Sequence, residues 1–160
     1  CGAQVLQVFD SWAGHMDDER YNVFCAPYQK QVVASIKSHS PKTPIIIYMA
    51  PGEYSRHGRR LGLLAQTGAD IVSVDHTVDT GVARTILPDS IGIQGNLDPQ
   101  LLRDGPLEAV ESRTIAILDQ MAGRRHIMNL GHGILADTPE EHAAFFVSTV
   151  QNYKQRRQEE

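Results

Sequence analysis

The sequence predicts an α/β fold built on a parallel sheet. Two observations carry that expectation. Five short apolar runs alternate with stretches of helical periodicity, and each run ends in a cluster of Gly, Asp, Asn, Ser, Thr or His. A helical crossover returns the chain to the same end of the sheet, so strand-then-helix units in series imply parallel pairing. The apolar character of the runs implies strands buried on both faces.

Val5–Phe9 is the first expected strand, rich in β-formers and followed by Asp10-Ser11-Trp12-Ala13-Gly14. A helical stretch follows, with apolar residues four apart at Phe24, Tyr28, Val32 and Ile36. Asp17 and Asp18 precede it as candidate caps, and Pro27 fits a first helical turn, where a missing N–H costs nothing. Ile45–Met49 is a near-continuous buried strand behind Pro44. Leu61, Leu64 and Ala65 mark a short helix that Gly68 closes in the left-handed conformation. Ile71–Val74 and Ile91–Gln94 are the third and fourth strands, with a short helix around Gly81–Leu87 between them. Asp98-Pro99 reads as the cap and first residue of the next helix, and Leu107, Val110, Thr114, Ile117, Leu118 and Met121 form a helical stripe beyond it. His126–Leu130 is the fifth strand. The last helix opens with Thr138-Pro139-Glu140-Glu141, the pattern of a capping box, and its expected buried stripe is Ala143, Phe146, Val147 and Val150. Lys154–Glu160 reads as a charged, frayed tail, leaving residues 1–153 as one folded unit.

Composition excludes several classes. The chain of 160 residues carries 15 Lys+Arg against 19 Asp+Glu, a formal charge of -4, which disfavours a basic nucleic-acid binder. No apolar run approaches the roughly 20 residues of a membrane span. The two cysteines, Cys1 and Cys25, give little material for a disulfide framework or a structural zinc site. They read as two thiols, with a disulfide between them the alternative. The chain opens at Cys1 without a methionine or a signal-like stretch, which fits a processed or incomplete polypeptide.

Two architectures fit the parallel pattern: an open doubly wound sheet and part of a (β/α)8 barrel. The first in its dinucleotide-binding form carries G-x-G-x-x-G after the first strand, and none appears. Polar and glycine residues gather at the strand C-terminal ends, at Asp10-Ser11, Tyr48, Asp75-His76-Thr77, Gln94-Gly95-Asn96-Leu97-Asp98 and Asn129-Leu130-Gly131-His132-Gly133. Turn chemistry alone explains any one of these clusters. Five of them on one rim, where barrel enzymes place their active sites, favour a ligand site. His132 sits between two glycines, which implies close backbone approach or a positive φ, and it suits a carboxylate partner or an acid. Ser11 lacks the G-x-S-x-G setting of a nucleophile, so hydrogen bonding to a ligand carboxylate suits it better. Asp75 is expected to bind a neighbouring backbone amide rather than a ligand, and Asn96 and Asp98 to shape their own loop. Tyr48, Gln94 and Asn129 complete the rim candidates.

At these residues the chain resembles the uroporphyrinogen decarboxylase family. The matching strings are Gly2-Ala3-Gln4, Leu6–Gly14 (LQVFDSWAG), Pro44–Tyr48 (PIIIY), Gly68–Thr77 (GADIVSVDHT), Gln94–Pro99 (QGNLDP) and Asn129–Gly133 (NLGHG), in order to about Tyr153. The resemblance implies a (β/α)8 barrel of which this chain supplies about the last five βα units. It implies removal of CO2 from the four acetate side chains of uroporphyrinogen to give coproporphyrinogen, in haem and chlorophyll biosynthesis. It further implies no metal or organic cofactor, a homodimer, and a location in the cytosol or plastid stroma. By resemblance Ser11 and His132 match substrate-contacting positions, and Phe9 an apolar wall of the cleft.

Departures bear on activity. The family's substrate-binding arginines, its central aspartate and its active-site tyrosine belong to segments not found in these residues. His76 stands where the family commonly has Trp, and Tyr48 where it commonly has Phe. A polypeptide of these residues alone is therefore expected to be inactive. A non-catalytic, scaffold-like relative is the alternative reading. A cobalamin-linked methyltransferase of similar barrel fold would bring a His-x-Cys…Cys zinc site, for which Cys25 has no partner motif. Length agrees with a partial barrel: 160 residues over five units is about 32 each, and eight units take about 250.

Overall fold

The structure is a computed structural model that describes the backbone of residues 2–159 and the side chains of 2–153. Cys1, and the side chains of the expected charged tail, lie outside the described residues.

Five strands form one sheet in the order β1-β2-β3-β4-β5, every neighbouring pair parallel. They are β1 Leu6–Asp10, β2 Ile45–Met49, β3 Ile71–Ser73, β4 Gly92–Gln94 and β5 His126–Ile127. The helices are α1 Asp18–Phe24, α2 Ala26–His39, α3 Leu61–Ala65, α4 Thr80–Ile86, α5 Pro99–Asp104, α6 Leu107–Gln120 and α7 Glu140–Glu159. Strand order equal to chain order is the repeat of a (β/α)8 barrel, and the chain carries five of its strands. A doubly wound sheet would reverse direction at a switch point, and this one does not.

Helix starts follow their capping residues. Asp17, Asp79 and Asp98 accept from the backbone N–H of Arg20, Val82 and Gln100, so each acidic side chain satisfies one orphan donor of its helix. Gly68, at φ +86°, lets the chain turn from α3 toward β3. At the base of the sheet Asp70 accepts from the Ile45 N–H and from Lys37 Nζ at 2.6 Å. Burial works to raise the Asp70 pKa, but the Lys37 ammonium and the Ile45 amide outweigh it and hold the carboxyl below its usual range.

Alternation along the strands divides their side chains between two faces. Ile45, Ile47, Val72, Val74 and Ile93 meet Tyr21, Val33, Leu61, Leu64, Ala83 and Leu87 in the main core. A second cluster joins Leu97, Leu102, Val110 and Ile117 to Phe145 and Phe146 of α7. Among the described residues no helix is long and apolar enough to cross a membrane. Cys25 is a free thiol, its pKa raised by burial and then by the nearby Asp10 carboxylate.

Four expectations need correction. The Phe24, Tyr28 and Val32 stripe faces outward, with exposures of 66%, 57% and 44%. The buried face of α2 is instead Gln29 and Val33, one residue further round the helix, because Gln29 is drawn inward by hydrogen bonds. The capping box does not form: the Thr138 N–H already donates to the Leu135 carbonyl, and Thr138 Oγ1 is buried without a partner. In α7, Phe145 packs into the core and Val147 stays exposed. Burial on both faces holds for the central strands, while Phe9 of β1 and Ile127 of β5 are exposed because both lie on edge strands.

Two substitutions test this division of apolar residues. Ile47→Ala empties a fully buried site and should cost about 2–5 kcal/mol, whereas Phe24→Ser should shift stability by less than about 0.5 kcal/mol. Urea unfolding of both variants measures the difference.

Candidate functional site

Register alone assembles the centre of the site. Phe9 pairs with Tyr48, Tyr48 with Ser73, Ser73 with Gln94, and Gln94 with Ile127. Paired residues in a parallel sheet point the same way, so these five side chains form one row on the face opposite the helices. Gln7 lies two residues below Phe9 and shares that face. Gln94 Nε2 reaches Ser73 Oγ at 3.1 Å and Gln7 Oε1 at 3.3 Å, tying β4 to β3 and to β1.

Above this row the β5–α7 loop folds over the strand ends. Its close approach depends on Gly131, where a Cβ would sit 2.2 Å from the His76 backbone nitrogen. The Tyr48 hydroxyl donates to the Gly131 carbonyl at 3.4 Å. Tyr48 makes edge contacts with Phe9 and with His132, ring centroids 6.0 and 6.3 Å away. Gln7, Phe9, Tyr48, Ser73, Gln94, Asn129, Leu130, His132, Gly133 and Ile134 line a cleft of about 310 Å³. A larger cavity of about 410 Å³, lined by residues including Asp70, Gly92, Arg125 and His126, opens at the other end of the strands. The rim cleft is the better candidate, because parallel barrels place their chemistry at strand C-terminal ends and the polar groups converge there.

The rim residues expected from the sequence divide into two groups. Phe9, Tyr48, Gln94, Asn129 and His132 come together in the cleft. Asp75 and Asn96 do not line it. Asp75 Oδ1 accepts from the Thr77 N–H and hydroxyl at 2.8 and 2.5 Å. Asn96 Nδ2 donates to the Asp75 and Val78 carbonyls, fastening the β4 loop to the β3 loop, and its buried Oδ1 has no partner. Ser11 is exposed just past β1, beside the cleft lining rather than in it, with no hydrogen bond to a described residue. Gln7 and Ser73 were not anticipated, because a single polar residue inside an apolar run shows its partners only once the register is known.

The cleft is mostly neutral. Among the described residues His132 is the one basic side chain in its lining, with no Lys or Arg present. Among the described residues no three His, Cys, Asp or Glu side chains gather as a metal-binding group. The arrangement offers an aromatic wall, amide and hydroxyl hydrogen bonding, and one imidazole. Burial pushes the Tyr48 phenol up to about 12, and the Asp75 carboxylate adds to the rise. Tyr21 is pushed up to about 12 by burial as well. Between about pH 10 and 12 the unfolded chain releases these protons while the folded chain keeps them, so stability falls as pH rises through that window. Absorbance titration at 295 nm should show two phenols ionising near pH 12, and Tyr48→Phe should remove one.

Comparison with known proteins places these features. The family model described as "Uroporphyrinogen decarboxylase (URO-D)" matches residues 1–153. A protein named uroporphyrinogen decarboxylase from Prochlorococcus marinus (strain NATL1A) is 47% identical over 151 residues, covering 94% of this chain and 41% of that protein. Its counterpart from Parasynechococcus marenigrum (strain WH8102) is 51% identical over 148 residues, covering 92% and 40%. The chain thus spans about two fifths of the length of the curated relatives it matches. Among solved structures, a methyltransferase from Methanosarcina mazei superposes with a TM-score of 0.80 at 18% identity, covering 96% of this chain and 43% of that one, a likeness of fold. With the family model matched over nearly the whole chain, this protein belongs to the uroporphyrinogen decarboxylase family.

Proposed function

We propose that residues 1–153 supply one wall of the tetrapyrrole cleft of a uroporphyrinogen decarboxylase barrel. The complete barrel would convert the four acetate side chains of uroporphyrinogen to methyl groups with release of CO2. The observation that carries the reading is the Phe9–Tyr48–Ser73–Gln94 row with His132 above it, in a chain of this family.

The chemistry asks three things of the protein. Loss of CO2 leaves carbanion character next to a pyrrole ring, and a proton added first to that ring makes it an electron sink. The electrons of the breaking C–C bond flow into the ring, a proton at the former acetate carbon completes the methyl group, and loss of the proton first added to the ring restores the pyrrole, so each CO2 released consumes one proton. The electron sink lies in the substrate, so the protein needs to bind carboxylates, hold the macrocycle and deliver protons. In this reading Phe9 and Tyr48 pack against the macrocycle, and Gln94 and Asn129 offer hydrogen bonds. His132 and Ser11 donate to substrate carboxylates.

The charge and size of the site explain why five units would not suffice. Uroporphyrinogen carries eight carboxylates, and among the described residues the cleft lining contains no Lys or Arg to meet them. A cleft of about 310 Å³ is near the lower limit for small-molecule sites, too small for a macrocycle of four pyrroles. The missing cations and walls belong to βα units beyond the open edges of β1 and β5. The working protein is then a complete barrel, and the pairing of two such barrels is the homodimer the family resemblance implies.

An anaerobic titration of the 160-residue chain with uroporphyrinogen tests the reading. Binding should be measurable, weakened roughly tenfold by His132→Ala, the loss of a charged hydrogen bond, and no coproporphyrinogen should form. Turnover by the chain alone, or binding indifferent to His132→Ala and Tyr48→Ala, would count against it.

A further inference from the structure

A buried polar chain runs beneath the loop that follows β1. Arg60, at 1% exposure, sends its guanidinium into the centre of this chain. Nη1 donates to the Ala13 carbonyl at 2.8 Å, and Nη2 donates to the Met16 carbonyl at 2.5 Å and to Asp18 Oδ1 at 3.0 Å. The same guanidinium lies 4.2 Å from the centroid of the fully buried Tyr21 ring. The Tyr21 hydroxyl donates to Gln29 Oε1 at 2.8 Å, and Gln29 Nε2 donates to Asp10 Oδ2 at 2.8 Å.

Chemistry fixes the direction of these bonds. A carboxylate only accepts, so the amide nitrogen of Gln29 must face Asp10. Its oxygen is then left to accept the tyrosine proton. Tyr21 is therefore required as a donor, and Phe in its place would strand the Gln29 oxygen. Arg60 is likewise poorly replaced by Lys, because one point charge cannot serve two carbonyls and a carboxylate with a planar fork.

The chain grips the loop at both ends. Asp10, the last residue of β1, holds its start, while Ala13 and Met16 are held from the far side. The Tyr54 N–H also donates to the Gly14 carbonyl at 3.2 Å. Between these anchors Ser11 and Trp12 stand exposed at the rim. We infer that Arg60 and Tyr21 are positioning residues for Ser11, acting through Gln29, Asp10 and the Ala13–Met16 carbonyls. Their role toward substrate rests on the reading of Ser11 as a carboxylate contact.

The loop carries its own reporter, since Trp12 is the one tryptophan of the chain. Amide hydrogen exchange and acrylamide quenching on the 160-residue chain need no ligand. Tyr21→Phe and Gln29→Leu should speed exchange at His15, Met16 and Tyr54, whose N–H groups donate to the Trp12, Ala13 and Gly14 carbonyls of the loop, roughly five- to tenfold, the loss of one buried hydrogen bond. Trp12 should quench more readily, while Ile46 and Ile47 of β2 follow global stability alone. Arg60→Lys should act more strongly, and the two milder variants decide the matter if it fails to fold. Unchanged exchange and quenching in a folded Tyr21→Phe or Gln29→Leu chain, or changes that only track β2, would overturn the assignment.

Binding of uroporphyrinogen separates the second question. Ser11→Ala and Tyr21→Phe should weaken it by similar factors, and the double variant should lose no more than the product of the two, with coupling expected. If Ser11→Ala leaves binding intact, Ser11 is not a carboxylate contact, and the exchange result still decides whether the loop is held by Arg60 and Tyr21.

Discussion

Parallel register is the constraint on which the rest of this molecule depends. Side chains in a strand alternate with a period of two, so a slip of one residue would carry Tyr48 from the cleft to the helix side and Ile47 the other way. The wrong alignment would bury a phenol among aliphatic side chains and expose a core isoleucine. The helix-facing residues Ile45, Ile47, Val72 and Ile93 therefore hold the cleft-facing residues in place. The apolar core positions the site as surely as any hydrogen bond within it.

Two kinds of polar network sit on that frame. On the cleft face, Gln94 gathers Ser73 and Gln7, leaving a neutral hydrogen-bonding floor. On the helix face, Arg60, Tyr21, Gln29 and Asp10 knit the first loop to its helices. Buried polar groups are costly when partly satisfied and rigidifying when their bonds are made. Most bonds in both networks are made, which is what a rim that must hold a ligand requires. The neutrality of the cleft also sets its limit. A substrate of many carboxylates needs cations, and among the described residues the lining offers one imidazole.

Much of this was legible in the sequence, and the failures have physical causes. The strands were readable because short β-rich runs end in turn residues, and the rim candidates because polar residues cluster there. Asp17 and Asp98 were readable as caps because capping needs a short acceptor at a fixed place. Phe24, Tyr28 and Val32 misled because periodicity names a stripe without naming what covers it. Thr138 misled because the motif says nothing of whether its backbone N–H is already bonded. Arg60 was hidden in a run of basic residues that reads as solvated surface. Its hydrogen-bond partners lie between 42 and 47 positions away, at Asp18 and Ala13, a distance no local pattern spans.

The central claim is that the C-terminal rim of the sheet receives a tetrapyrrole. Uroporphyrin, the unreactive oxidised form, can be titrated into the labelled chain and its contacts mapped by NMR chemical-shift changes. The account predicts shifts concentrated at Phe9, Tyr48, Gln94, Asn129 and His132. The arginines Arg84, Arg124 and Arg125 line a polar hollow near residues of the opposite cavity and provide an internal control for mere charge attraction. Shifts confined to those arginines, with the rim unmoved, would contradict it.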